Sequence, residues 1–236
     1  MNWSQLLSSS IGRKIVMSVT GLFLISFLVV HLGINACVFN DLYDATDNGD
    51  MFNRAADYMG KTMLIRLMEI VLFLGFFIHI IQGVMLEMEN HNKRKIGYQV
   101  PVGNKGSKWY SRSMGLLGTI LLLFLILHWW HFWIPSRFTH VGLETPIILS
   151  NGRMSHDMFL LMKITFSEWW VVIVYVLACI SLTYHLLHGF ESAFRSLGVH
   201  NGRYIKILKS IGIGYSVIVP LVFAMMPISF KMGWIG

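Results

Sequence analysis

Residues 15–34, IVMSVTGLFLISFLVVHLGI, form an apolar run that contains no charged side chain. A helix of this length rises about 30 Å, which is the thickness of the hydrocarbon core of a bilayer. Four further apolar runs of comparable length follow, at residues 63–86, 114–134, 169–188 and 207–230. Because 55% of the 236 residues are hydrophobic and only 13% are charged, the sequence predicts an all-α integral membrane protein. We expect a single domain, residues 1–236, built as a bundle of five transmembrane helices.

The segments between the predicted spans are too short for a soluble catalytic domain. The longest are residues 35–62, 87–113 and 135–168, of 28, 27 and 34 residues, whereas domains usually have 50 or more. The two cysteines, Cys37 and Cys179, form no CxxC or CxxCH motif, which excludes covalent haem attachment by that motif. The sequence therefore predicts chemistry inside the bilayer, or in a partner docked onto it.

The distribution of charge predicts the orientation of the chain. With the amino terminus inside, the inner segments carry twelve of the 19 basic residues and three of the twelve acids. The positive-inside rule then places the amino terminus in the cytoplasm and, after five crossings, the carboxyl terminus outside. Basic loops beside a membrane account for the net charge of +7, and no basic patch with interleaved aromatics indicates a nucleic-acid partner.

Histidines are unusually frequent in the predicted spans. Six of the ten lie within these spans or at their ends, and the first four spans each contain at least one: His31, His79, His128, His131, His185 and His188. An imidazole loses its hydration in hydrocarbon and needs a partner there. Helix–helix hydrogen bonds would account for one such histidine, but a set spread over four spans indicates a shared function.

Depth along each helix sorts the histidines into two levels. His31 and His128 lie about 25 Å from the inner charges of their spans, and His79 and His188 lie about 12 Å or less from theirs. Two imidazoles that face each other across an apolar slot suit a haem, whose iron binds one on each side. Zinc would require three or four ligands at one level. His131 and His185 lie one turn from His128 and His188, so depth leaves the choice within each pair open.

Five motifs in order carry a resemblance to a known family: SVTG at 18–21, HLG at 31–33, HIIQG at 79–83, HWWHFW at 128–133 and HGFESAFRSLG at 188–198. Together they resemble the cytochrome b membrane-anchor subunit of succinate dehydrogenase and fumarate reductase, in its five-helix, two-haem form from menaquinone-using bacteria. The resemblance covers essentially the whole chain.

The resemblance implies roles for particular residues. His31 and His128 would bind the outer (distal) b haem, and His79 and His188 the inner (proximal) one. Ser18, Thr20 and Gly21 would lie beside the inner haem. Arg13 and Arg195 are candidate partners of its propionates, because guanidinium groups pair two-pronged with carboxylates, although both could simply mark the membrane edge.

The resemblance also implies the partners and the location. Electrons would pass between an iron–sulfur subunit, docked on the basic segment 91–112, and menaquinone in the bacterial inner membrane. A flavoprotein subunit would carry out the succinate and fumarate chemistry of the tricarboxylic acid cycle, so the enzyme activity belongs to the complex. The alternatives are the cytochrome b subunit of a hydrogenase or formate dehydrogenase, and a transporter with a histidine proton relay.

Arg66 and Glu69 form a second candidate site near the outer end of the second span. Glu69 lies about 27 Å above Glu87 along the helix, level with the predicted outer haem. A buried carboxylate there could exchange protons with a quinone. The alternative is an ion pair between Arg66 and Glu69 within one helix.

Overall fold

The computed structural model describes residues 9–44, 46–93 and 108–236. Within these ranges, five helical segments are long and apolar enough to cross a membrane: Ile11–Leu42, Met63–Asn90, Met114–Thr139, Trp169–Ser196 and Gly202–Lys231. The prediction of five apolar helices is confirmed. The basic loop around residues 94–107, proposed above as part of a docking surface, lies outside the described residues.

The secondary structure of the described residues consists of eight α-helices, one 3₁₀-helix (Ala36–Leu42), two π-helical turns and one hairpin. The helices are α1 (Ser10–Asn35), α2 (Asp50–Lys61), α3 (Met63–Lys93), α4 (Trp109–Arg112), α5 (Met114–His128), α6 (Met158–Thr165), α7 (Trp169–Ser196) and α8 (Gly202–Lys231). The strands β1 (Ile147–Ile148) and β2 (Met154–Ser155) pair antiparallel, with Ile147 opposite Ser155. Most of the long helices extend beyond their apolar runs, because a helix can continue into polar residues once it has left hydrocarbon.

The third span changes its helical form at His128. The α-helical hydrogen bonding of α5 ends there, and π-helical turns follow at Trp129–Trp133 and Pro135–Thr139. Such wider turns are rare and often occur at functional sites. The sequence predicted one regular helix through residue 134.

The chain forms two compact units, each assembled from segments that are distant in sequence. The first, which we call the His79 unit, consists of the described residues of Met1–Phe27, Val71–Ile120 and Ser181–Val217. The second, the His31 unit, consists of those of Leu28–Ile70, Leu121–Ile180 and Ile218–Gly236.

The His31 unit contains a small folded region that the sequence did not predict. It comprises α2, the hairpin and α6, all of which lie in the segments between the predicted spans. Asn53 of α2, which is 1% exposed, ties α2 to the start of α6. Its side chain donates to Asp157 Oδ1 at 2.9 Å and accepts from the backbone N–H of Phe159 at 3.0 Å. Phe159 packs in turn on Phe230 of α8, with 5.1 Å between ring centres.

Candidate cofactor site

His31 and His128 face each other in the His31 unit. Their ring centres are 5.8 Å apart and their ring planes are nearly perpendicular, at 87°. Aromatic side chains surround the pair: Phe124, Phe132 and Tyr175 lie 5.4–6.1 Å from His128, and Phe223 lies 5.5 Å from His31. The two residues that the sequence assigned to one level are thus in contact, inside an aromatic enclosure.

His79 has the corresponding neighbour in the His79 unit, and this neighbour is His185. The ring centres of His79 and His185 are 6.4 Å apart, with the planes inclined at 65°. His188, which the resemblance assigns to this site, lies instead with its Nδ1 2.9 Å from the hydroxyl of Ser111. The structure therefore pairs His79 with His185, the alternative to His188 that depth along the helix left open.

Both ring separations suit two ligands of a single metal. A metal-bound imidazole nitrogen lies about 2 Å from the metal, so two imidazoles on opposite sides of one ion have centres about 6 Å apart. The measured 5.8 Å and 6.4 Å agree with that spacing. Within the described residues, no group of three or more His, Cys, Asp or Glu side chains could hold a metal ion, but a haem iron needs only two protein ligands.

Buried ring nitrogens provide a second test of whether a metal-bearing group fits. Among the described residues, the Nδ1 atoms of His128 and His185 are buried and have no hydrogen-bond partner. A buried polar atom without a partner is costly and calls for an explanation. Ligation of a metal through Nδ1 would give these atoms a partner, whereas ligation through Nε2 would leave Nδ1 as an N–H without an acceptor.

His131 has a different partner from His128. Its Nδ1 lies 3.0 Å from the hydroxyl of Tyr175, and the two rings stack at 11°. The hydrogen bond to Tyr175 of α7 explains the position of His131. Nδ1 of His128 has no such bond within the described residues.

Small residues lie beside both histidines of the His79 pair. A Cβ atom added to Gly21 would lie 3.4 Å from Cε1 of His79, and one added to Gly118 would lie 3.9 Å from Cε1 of His185. Thr20 lies beside Gly21, with its hydroxyl 3.1 Å from Nδ1 of His79. Ser18 is buried and donates to the carbonyl of Lys14 at 2.8 Å. The SVTG motif thus brings Thr20 and Gly21 to His79, while the haem contacts expected for these residues stay predictions.

Both arginines proposed for propionates pair with acidic side chains. Arg13 lies 3.3 Å from Oε2 of Glu89, and Arg195 lies 2.8 Å from Oε1 of Glu191. A propionate at either position would replace one carboxylate with another, which a guanidinium fork accommodates.

Glu69 forms its ion pair with Arg137 rather than within its own helix. Two nitrogens of Arg137 donate to its two carboxylate oxygens, at 3.2 Å and 2.9 Å, and the indole N–H of Trp133 donates to Oε1. Arg66 donates from Nε to the carbonyl of Gly60 at 2.9 Å. This network joins α3 to the π-helical turns after α5, and a role for Glu69 in proton exchange with quinone stays a prediction.

Several site neighbours were missed by the sequence reasoning. Asn35 lies with Nδ2 3.2 Å from Nδ1 of His31 and also donates to the carbonyl of His31 at 2.7 Å. Its spacing of four residues after His31 is a signal that could have found it. Tyr175, Ser111 and Arg137 come from other helices or turns, and no local spacing indicates them.

The fold and the site together define a class: a multi-pass membrane protein with two pairs of facing histidines, one in each compact unit. Comparison with family models, with curated proteins and with solved structures gives no match for this chain.

Proposed function

We propose that this chain is the di-haem cytochrome b membrane-anchor subunit of a succinate:quinone oxidoreductase. His31 and His128 would hold one b haem, and His79 and His185 the other. The observation that carries the proposal is the pair of histidine contacts, each with ring centres about 6 Å apart, on helices long enough to cross a membrane. The proposal takes His185 in place of His188 because His185 is the residue that contacts His79.

The chain's own residues would bind and orient the cofactor. A bound haem supplies reversible one-electron transfer at its iron. The four histidines would hold the two haems, and the rings of Phe124, Phe132 and Phe223 would keep water from the His31 pair. Arg13 and Arg195 are the cationic side chains from which we expect propionate contacts.

The choice of succinate, rather than another electron donor, rests on the ordered motifs of the sequence. The segments between the five spans are too short for a soluble catalytic domain, so partners would supply the substrate chemistry. We propose that these are a flavoprotein and an iron–sulfur protein on the cytoplasmic side, with menaquinone as the lipid-soluble electron carrier. The orientation with the amino terminus in the cytoplasm belongs to the same proposal.

The test is to purify the chain with the proteins that accompany it in its native membrane. We expect a dithionite-reduced minus oxidised spectrum with a b-type α band, and two haems per chain by the pyridine haemochrome assay. A spectrum without the α band would refute haem binding, and one haem per chain would refute the double pairing. Copurified hydrogenase or formate dehydrogenase subunits would refute the succinate assignment alone.

A further inference from the structure

We propose that Thr20 is a positioning residue that sets the tautomer of His79, so that Nε2 is the nitrogen available to a metal. This inference rests on the proposed function, in which His79 binds haem iron. The inference is based on the two hydrogen bonds of the Thr20 hydroxyl, to Val16 and to His79.

The hydroxyl of Thr20 has one proton to donate and lone pairs with which to accept. Its Oγ1 lies 2.8 Å from the carbonyl of Val16 and 3.1 Å from Nδ1 of His79. The carbonyl can only accept, and back-bonding of a threonine to the residue four positions earlier is a common helical pattern. The proton of Thr20 therefore goes to Val16, and Nδ1 of His79 must carry the proton that Oγ1 accepts.

Neutral imidazole carries one N–H, so a proton on Nδ1 leaves the lone pair on Nε2. A ligating histidine usually donates its other ring N–H to a fixed acceptor, which orients the ring and raises the basicity of the ligand. Thr20 supplies that acceptor here. The neighbouring Gly21 also lies beside the ring, since a Cβ added there would be in van der Waals contact with Cε1 of His79, at 3.4 Å.

A more basic ligand stabilises the more oxidised, more positive iron. Removing the acceptor should therefore raise the midpoint potential of the haem held by His79 and weaken its attachment. The haem of the His31 pair should be unaffected, because Thr20 makes none of the contacts found around that pair.

The experiment compares three variants of the whole chain in its complex. Thr20→Val removes the hydroxyl and keeps the branched shape, while Thr20→Ser restores a hydroxyl. Thr119→Val is the matched control, since the exposed Thr119 makes the same back-bond, to Gly115 at 2.9 Å. The readouts are redox titration of each haem, the ferric low-spin EPR signal, and the rate of haem transfer to apomyoglobin.

We expect Thr20→Val to raise the midpoint potential of the haem that is lost in His79→Leu, and to speed its transfer about 10–100-fold. Thr20→Ser should restore both values, and Thr119→Val should leave them unchanged. If Thr20→Val abolishes this haem, retention by Thr20→Ser at the wild-type potential supports the proposal, and loss in both variants overturns it.

The outcomes separate this inference from the function beneath it. A wild-type haem that depends on His79 but responds equally to Thr20→Val and Thr119→Val refutes the role of Thr20 alone. A wild-type chain with no haem that depends on His79 refutes the proposed function and the inference together.

Discussion

His185 and His188 lie one helical turn apart on α7, yet they have different neighbours. His185 contacts His79 and has a buried Nδ1 without a partner among the described residues. His188 is 2.9 Å from the hydroxyl of Ser111. A hydroxyl at Nδ1 leaves Nε2 free to bind a metal, so the ring contact with His79, and not the bond of His188 to Ser111, is what favours His185 as the ligand.

Alanine substitutions at these two positions should therefore have different effects on the haem proposed for the His79 pair. His185→Ala should remove the same low-spin haem signal as His79→Leu, because each leaves the iron with one axial imidazole. His188→Ala should keep that signal, since it breaks only the bond to Ser111. Low-temperature spectra and haem content measure the outcome, and loss of the signal in His188→Ala with retention in His185→Ala would return the assignment to His188.

The sequence could not make this choice, for a geometric reason. Residues three apart share a helix face and differ in depth by about 4.5 Å, which is less than the uncertainty of any membrane boundary read from charges. His128 and His131 presented the same ambiguity. There the structure gives His131 a partner in Tyr175 and brings His128 to His31.

At the scale of elements, buried polar side chains of α2 join it to the hairpin and to α6. The carboxylate of Asp57 on α2 is 2% exposed and pairs with Lys61 and, at 3.2 Å, with Arg153 beside β2. Burial would raise the pKa of Asp57, but hydrogen bonds from Lys61 and Ser155 and the charges of Lys61 and Arg153 hold it below its usual 3.8. The ionised form of Asp57 is thus the one that joins α2 to the hairpin.

This pairing predicts an acid-sensitive contribution to stability. A carboxyl whose pKa is lower when folded stabilises fully above its unfolded pKa of 3.8, and this contribution is lost as the pH falls through the lower folded value. Asp57→Asn should destabilise the folded chain by about 1–3 kcal/mol near neutral pH. The difference in stability from wild type should then begin to narrow below about pH 4 and close as the pH falls through the lower folded pKa of Asp57.

Thermal unfolding of the detergent-purified chain between pH 7 and pH 2.5 measures this difference. Asp44→Asn is a suitable control, because Asp44 is exposed and bonds to Thr46 within its own turn. We expect Asp44→Asn to change the stability much less than Asp57→Asn does. If the stability difference between wild type and Asp57→Asn were the same at every pH, the charged pairs of Asp57 would not be its cause.

The five long helices could be predicted and the short ones could not, because different forces form them. Long apolar runs reveal themselves by composition, since only a helix satisfies its backbone in hydrocarbon. The helix α2 is polar, and its buried positions include Asn53 and Asp57, which a hydrophobic pattern cannot indicate. One local signal was present for α6: Asp157 caps it by accepting from the N–H of Leu160 at 2.9 Å.

At the scale of the whole molecule, the two histidine pairs belong to different compact units. Each unit gathers parts of long helices, so one helix supplies residues to both. His31 lies in the part of α1 that belongs to the His31 unit, and Thr20 in the part that belongs to the His79 unit. Contacts within each unit therefore hold its pair, and we expect the loss of a ligand in one unit to spare the haem of the other.

Replacing His31 with leucine tests this independence and the pairing together. Leucine is well tolerated in a membrane helix, so His31→Leu should insert normally while its haem loses one axial imidazole. His31→Leu and His128→Leu should lose the same spectral component, and His79→Leu should lose a different one. In the proposed complex, reduction of an artificial acceptor by succinate should persist in all three variants, because that chemistry would belong to the partner subunits. Succinate-dependent quinone reduction should fall.

Should the His31 and His128 variants lose different spectral components, these two imidazoles do not share an iron, and their 5.8 Å contact is a packing contact only.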